Sequence, residues 1–190
     1  MAVKTKKQLD ALTNDALVAY IDLLTKSEFS YVDVDSKVRY FIYKYGKGVA
    51  ASIKGTGLFF PAVMAQSIYE SNYGKSIPIG SNNFAGIKYN PNIHKGYVSV
   101  VATEYVKGVP FKSEMKFAKF DTVDEGFYHH IKTLLADRYR DARLLAKDSE
   151  DQILRIVKSG YATMPPDKYL FGVKGNIKRI INKTGILRVV

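Results

Sequence analysis

Glu70 is the residue in this sequence with the clearest chemical promise. It closes a run that contains Ala62, Val63, Met64, Ala65, Ile68 and Tyr69, and Ser71-Asn72-Tyr73-Gly74 follows it. A carboxylate at the edge of an apolar helix is desolvated, and desolvation raises its pKa. A carboxyl that keeps its proton near neutral pH can pass it to a departing oxygen. Spacing alone leaves two other fates open: pointing to solvent, or pairing with a lysine such as Lys75. The histidines promise less. His129 and His130 are consecutive and point in different directions on a helix, which makes them a poor chelating pair, and His94 stands apart. With no cysteines, disulfides and thiolate metal sites are excluded. Neither a metal nor a cofactor is expected.

The elements that must position Glu70 follow from periodicity. Lys6 to Lys26 carries Leu9, Leu12, Leu17, Ile21 and Leu24 at mostly helical spacing, reading as one or two amphipathic helices. Val38, Phe41, Ile42 and Tyr45 predict a helix from Ser36 toward Ile53, weakened in the middle by Gly46 and Gly48. After Gly55-Thr56-Gly57, Pro61 suits the first turn of the helix that ends at Glu70. That helix is apolar on nearly every side, so it belongs in the domain centre. Gly74 should terminate it, and Ser76 to Pro91 reads as a loop.

The period then shifts to two. Tyr97 to Val106 and Phe111 to Phe117 form a hairpin, with Lys107-Gly108-Val109-Pro110 as its turn. Phe111, Ser113, Met115 and Phe117 share one face, and Lys112, Glu114 and Lys116 the other. Thr122-Val123-Asp124-Glu125 and Ser149-Glu150-Asp151-Gln152 read as capping boxes for two further helices, the second ending at Ser159-Gly160. A last helix over 167–182 should bury Leu170, Val173, Ile177, Ile180 and Ile181.

The whole chain sets outer bounds. Its 190 residues, 46% hydrophobic and 25% charged, fit one domain, or one domain with a short extension. No apolar run approaches the roughly 20 residues that span a bilayer, so no membrane insertion is expected. The basic start, Met1 to Lys7, leads into a polar helical pattern, and no signal peptide is expected. A net charge of +11 draws polyanions: nucleic acid, anionic membrane or the bacterial wall. It disfavours a small cationic substrate.

Four blocks in order supply a resemblance. Met64-Ala65-Gln66-Ser67-Ile68-Tyr69-Glu70-Ser71-Asn72-Tyr73-Gly74-Lys75-Ser76 resembles the Ala-Gln-x-x-x-Glu-Ser-x-x-Gly-Lys-Ser stretch of glycoside hydrolase family 73, N-acetylglucosaminidases that include the flagellar rod hydrolase and many autolysins. Ser81-Asn82-Asn83-Phe84-Ala85-Gly86-Ile87-Lys88 is similar to that family's Asn-Leu-Phe-Gly-Ile-Lys loop. Thr103-Glu104-Tyr105-Val106-Lys107-Gly108 resembles its hairpin segment, and Gly160-Tyr161-Ala162-Thr163 its Gly-Tyr-Ala-Thr motif. The chain departs from the pattern at Ala85, where a large residue is usual, and at Met164-Pro165-Pro166, which replaces an Asp-Pro.

The resemblance implies an α+β, mainly α fold: a lysozyme-like helical domain over 36–190 with a small inserted β-hairpin lobe flanking the cleft. Residues 1–35 match none of its blocks and are expected from their periodicity to form an N-terminal helical extension. It implies an endo-β-N-acetylglucosaminidase acting on the β-1,4 bond between N-acetylglucosamine and N-acetylmuramic acid in bacterial peptidoglycan glycan strands. Glu70 matches the catalytic acid, Glu104 the second carboxylate, and Tyr161 a tyrosine that positions substrate or reacting group. Tyr73 stands where the family often has tryptophan and would stack on sugar. Asn83, Phe84 and Lys88, in the loop beside the acid, are the other expected substrate contacts.

Three mechanisms stay open at this point. Glu104 as base for a water requires roughly 6.5–9.5 Å between the carboxyls, and a direct nucleophile about 5–5.5 Å. In the third, the substrate's own 2-acetamido group attacks while Tyr161 orients it. Two other functions compete: a lytic transglycosylase or muramidase on the same glycan, and a non-catalytic polyanion-binding module that stacks bases on aromatics. Scattered basic residues and an apolar-edged Glu70 argue against nucleic acid as partner. The expected protein is a monomer made in the cytoplasm and acting on the wall, as a phage endolysin or virion-carried bacteriolytic enzyme would.

Overall fold

Asp33 begins the first helix by capping it. Its Oδ1 accepts the Ser36 N–H at 3.0 Å and its Oδ2 the Ser36 hydroxyl at 2.7 Å. The computed structural model describes residues 33–106, 109–162 and 164–183, with Gln8, Leu12, Ala16, Ala19, Tyr20 and Leu23 before them. For Glu104, Tyr105, Val106 and Lys183 it describes the backbone alone. Most of the N-terminal helical extension expected over 1–35 therefore lies outside the described residues.

α1 runs Val34–Ile53 and buries Val38, Phe41, Ile42, Val49 and Ile53 along one stripe. Gly46 and Gly48 do not interrupt it. At Gly46 the missing side chain has a use: a Cβ there would lie 3.2 Å from Ile42 Cγ2 and 3.3 Å from Phe60 Cζ, so the next helix packs close at its start. α2 is Phe60–Ser71, with Pro61 in its first turn as expected. Pro61 through Ile68 are all buried, and α1 (Val34–Ile53) flanks this central helix. Its end comes earlier than Gly74. Asn72 caps it in the left-handed region at φ 47°, followed by Tyr73 at 60° and Gly74 at 84°. Asparagine tolerates that region well, so the turn starts two residues before the glycine.

β1 (Gly96–Val106) and β2 (Val109–Lys119) pair antiparallel, with Glu104 opposite Phe111. The strands are longer than their alternation suggested, and Val109 and Pro110 belong to β2 rather than to the turn. Ser113, Met115 and Phe117 are half-buried as expected, but Phe111 is 43% exposed because the tip extends past the body that would cover it. At the base, Lys88 bridges Phe117 and so adds a short third edge.

α3 (Val123–Leu134) is capped by Thr122, whose Oγ1 accepts the Glu125 N–H at 3.1 Å. It stops at Leu134, and Arg138 falls in a 3-10 turn over Asp137–Tyr139. α4 (Arg140–Leu144) and α5 (Ser149–Lys158) follow. The cap of α5 lies one residue earlier than expected. Asp148 Oδ1 accepts the Asp151 N–H at 2.8 Å, while Asp151 Oδ2 accepts that of Lys147 at 3.1 Å. Gln152 is thereby freed from capping. Its amide bonds the Gly57 and Ala142 carbonyls and accepts from Phe59 N, pinning α5 to the entry of α2.

α6 (Pro166–Lys183) packs along α2 and α5 and buries Tyr169, Val173, Ile177 and Ile180. Ile181, expected inside, is 38% exposed, one step off that stripe. Among the described residues the architecture is α+β and mainly helical, with a single hairpin, as the sequence implied. Among the described residues no helix is long and apolar enough to cross a membrane.

Candidate active site

The loop between α2 and β1 delivers backbone to the end of α2, and its polar side chains are occupied in doing so. Asn83 Nδ2 donates to Ile87 O at 2.9 Å and Ala118 O at 3.0 Å, and its Oδ1 accepts Ile87 N–H at 3.0 Å. Asn82 Nδ2 donates to Phe120 O, and Phe120 N–H to Ser81 O. The loop also closes on Gly126 of α3: a Cβ there would run into the Asn82 carbonyl, so only glycine lets the two backbones meet. Phe84 is 3% exposed and stacks on Phe127 with ring centroids 4.8 Å apart. What remains for the outside is Ala85 to Lys88.

Those residues form one wall of a cleft of about 480 Å³. Glu70 lines it too, together with Thr103 and Phe117 of the hairpin and with Arg138 and Tyr161. Tyr161 arrives because α5 ends at Ser159 and Gly160, at φ 81°, reverses the chain. Its hydroxyl donates to Ala85 O at 3.3 Å, tying the reversal to the loop wall.

Glu70 keeps a solvent-facing edge, but protein surrounds its carboxyl. Burial lifts its pKa from 4.5 to about 7, against an opposing pull from the Tyr169 hydroxyl, which donates to Oε1 at 2.7 Å. Loss of hydration penalises the charged form, so the neutral acid persists near neutral pH. Burial also pushes the hydroxyls of Tyr161 and Tyr169 well above the ordinary tyrosine range, with the Glu70 charge adding to it. Among the described residues Glu70 is the one carboxylate lining the cleft, and Lys88 and Arg138 are its cationic members. Such a site can donate a proton to a bound leaving group.

Of the seven residues expected at the site, the structure brings Glu70, Tyr161 and Lys88 together. Glu104 lies in β1 next to Thr103, a cleft residue, and its side chain is outside what is described. Tyr73 is elsewhere: its hydroxyl donates to Asn176 Oδ1 at 3.4 Å in a second hollow against α6, because the left-handed turn carries it away from the cleft. Asn83 holds the loop together and Phe84 fills the core, at 2% and 3% exposed, and neither lines the cleft.

Sequence reasoning passed over Tyr169, Gln66 and His130. Gln66 Nε2 donates to the Tyr169 hydroxyl at 3.1 Å, and His130 Nε2 lies 3.1 Å from Gln66 Oε1. A signal existed for two of them. Gln66 precedes Glu70 by one helical turn, and Tyr169 begins the buried stripe of Val173, Ile177 and Ile180.

Comparison with known proteins fits this geometry. The family described as mannosyl-glycoprotein endo-beta-N-acetylglucosaminidase matches residues 46–184. The peptidoglycan hydrolase FlgJ of Vibrio cholerae is 26% identical over 166 residues, 84% of this chain and 49% of that protein. FlgJ of Pseudomonas aeruginosa is 28% identical over 109 residues, 54% of this chain and 27% of that protein. The chain thus spans about half or less of these relatives. The catalytic domain of the autolysin Auto from Listeria monocytogenes superposes with a TM-score of 0.63 at 20% identity, covering 97% of this chain and 98% of that one. A peptidoglycan hydrolase mutant from Sphingomonas sp. A1 gives 0.65 at 21% identity, covering 74% and 97%. The family match spans most of the chain and takes in the whole cleft, so this protein belongs to the glucosaminidase family and is a glycoside hydrolase.

Proposed function

We propose that this enzyme cleaves the β-1,4 bond between N-acetylglucosamine and N-acetylmuramic acid in bacterial peptidoglycan, with Glu70 as general acid. The observation that carries the reading is the buried Glu70 carboxyl, its pKa raised to about 7, lining a cleft of about 480 Å³. Glycoside cleavage needs an acid on the glycosidic oxygen and a group to attack or stabilise the oxocarbenium-like centre. The wall as substrate is supported by the relatives, which are peptidoglycan hydrolases by name.

Two groups compete for the second role. Glu104 follows Thr103, a cleft residue, on the β1 backbone of the hairpin. Tyr161 already lines the cleft and fits the alternative in which the substrate's acetamido group attacks while a hydroxyl orients it. Lys88 and Arg138 suit the carboxylates of a stem peptide, or the lactyl carboxylate of muramic acid where that peptide is absent.

The product decides between this activity and its nearest rival. A cleft with one described carboxylate also fits a lytic transglycosylase, in which muramic acid's own hydroxyl closes the ring. Mass spectrometry of digested glycan strands should show new reducing N-acetylglucosamine ends. Anhydromuramic ends, or reducing muramic acid ends, would contradict the proposed bond.

A further inference from the structure

A line of buried side chains runs from Glu70 into the core. The Tyr169 hydroxyl donates to Glu70 Oε1 at 2.7 Å, and Gln66 Nε2 donates to that hydroxyl at 3.1 Å. Gln66 Oε1 lies 3.1 Å from His130 Nε2, and His130 Nδ1 lies 3.2 Å from Ser67 Oγ. Gln66, Ser67 and His130 have no exposed surface, and Tyr169 has 2%. Burial also pushes the His130 pKa down to about 4, so near neutral pH its tautomer varies and its charge does not.

Hydrogen counting leaves two consistent polarities. Each hydroxyl carries one hydrogen, a neutral imidazole carries one N–H, and an amide donates from nitrogen alone. In the first, His130 Nε2–H donates to Gln66 Oε1, the amide donates to Tyr169, and Tyr169 donates to Glu70 Oε1. The Ser67 hydroxyl, which donates to Val63 O at 2.9 Å, then either turns its hydrogen to His130 Nδ1 or keeps that bond and leaves Nδ1 without a donor. Oε1 is an acceptor in this arrangement, so the carboxyl proton sits on Oε2. In the second, the amide is turned over, every bond reverses, and Glu70 turns its proton inward from Oε1 to Tyr169.

The two oxygens are not equivalent toward substrate. Oε2 faces Gly86 of the loop wall, where a Cβ would lie 3.5 Å from it. Only the first polarity presents a proton on that side. It also serves both ends of the reaction unchanged, because Tyr169 still donates to Oε1 after Glu70 has given its proton away. Dipoles that need no reorientation during the transfer are the favourable arrangement.

We propose that the relay His130–Gln66–Tyr169 holds the proton of Glu70 on Oε2, which makes these three residues positioning groups for the acid. The inference rests on Glu70 being that acid. The other ionisable groups around the cleft are Lys88, Arg138, Tyr161 and Tyr169, with Glu104 on the β1 backbone next to Thr103.

The experiment is a pH profile of kcat and KM on soluble glycan strands for the parent, Tyr169→Phe, His130→Phe and His130→Gln. Glutamine places an amide nitrogen about where the imidazole Nε2 lies, so it keeps the donor that phenylalanine removes. The parent should lose activity on the alkaline side with a midpoint near 7. Tyr169→Phe removes one oxygen and the bond that favours the carboxylate. Its midpoint should rise by about one pH unit, with kcat down about tenfold and KM little changed. His130→Phe should lose kcat by a similar factor, and His130→Gln should recover most of it.

A folded Tyr169→Phe with the parental midpoint and kcat overturns the relay. So does a His130→Gln no better than His130→Phe. These outcomes are separate from failure of the acid assignment, which an active Glu70→Gln would reveal whatever the relay variants do.

Discussion

The burial that raises the Glu70 pKa also works against the fold. With a folded pKa of about 7 against an ordinary 4.5, the native chain binds more protons than the unfolded one between those values. Stability from this group therefore falls as pH rises through that window and stays low above it. His130 works in the opposite sense: its depressed pKa means stability is lost as pH falls from 6.5 toward about 4. Comparing Glu70→Gln with the parent cancels the histidine. The amide still accepts from Tyr169 and never ionises, so the variant should be more stable than the parent at pH 8, by about 3 kcal/mol at most, and melt higher. At pH 4.5 the two should nearly coincide. Equal melting temperatures at both pH values would show that the carboxyl is not held neutral. The sequence disclosed Glu70 because its helix is apolar around it. It misdirected at Tyr73, Asn83 and Phe84, since aromatic and amide side chains close loops and fill cores as readily as they bind sugar. Only backbone conformation, the left-handed run from Asn72 to Gly74, shows that Tyr73 leaves the cleft.

Most element boundaries were readable to within about two residues, but the end of α3 at Leu134 and the short α4 were not, and the caps were less legible. α1 was legible because its apolar stripe is regular, α2 because it is apolar on nearly every side, and the hairpin from alternation. The α5 cap was misplaced by one residue because Asp148 and Ser149 are both good N-caps and the sequence does not rank them. The structure does: Asp148 accepts from Asp151 N–H, and Ser149 is 6% exposed and inside the helix. Asp148→Ala should therefore cost about 1 kcal/mol in a thermal melt, and Ser149→Ala much less. The reverse ranking would restore the expected box. The element matters to the site because α5 ends in the reversal at Gly160 that brings Tyr161 to the cleft wall. The hairpin makes the complementary contribution: its base is stitched to the loop by Ala118 N–H to Ile87 O and Tyr89 N–H to Lys116 O, both 2.9 Å. Neither stitch could be anticipated, since Lys88 reads as loop in every local pattern.

At the scale of the whole molecule, one buried helix ends in a carboxylate, and everything around that end is arranged to form a cleft without crowding it. The loop supplies backbone, Gly86 keeps space before Oε2, and the hairpin stands opposite. The net charge of +11 favours an anionic polymer and concentrates the enzyme on it. The mainly helical fold was legible because four motif blocks fell on helix end, loop, hairpin and turn in order. The relay behind Glu70 was not, because it joins α2, α3 and α6 across long stretches of sequence. The most direct test is the rate at which purified peptidoglycan is solubilised by the parent and by Glu70→Gln, each shown folded by its melt. The variant should be slower by about a thousandfold or more, since general-acid catalysis and the neutral carboxyl are both lost. A folded Glu70→Gln that clears the wall as fast as the parent would contradict the assignment of Glu70 as the acid.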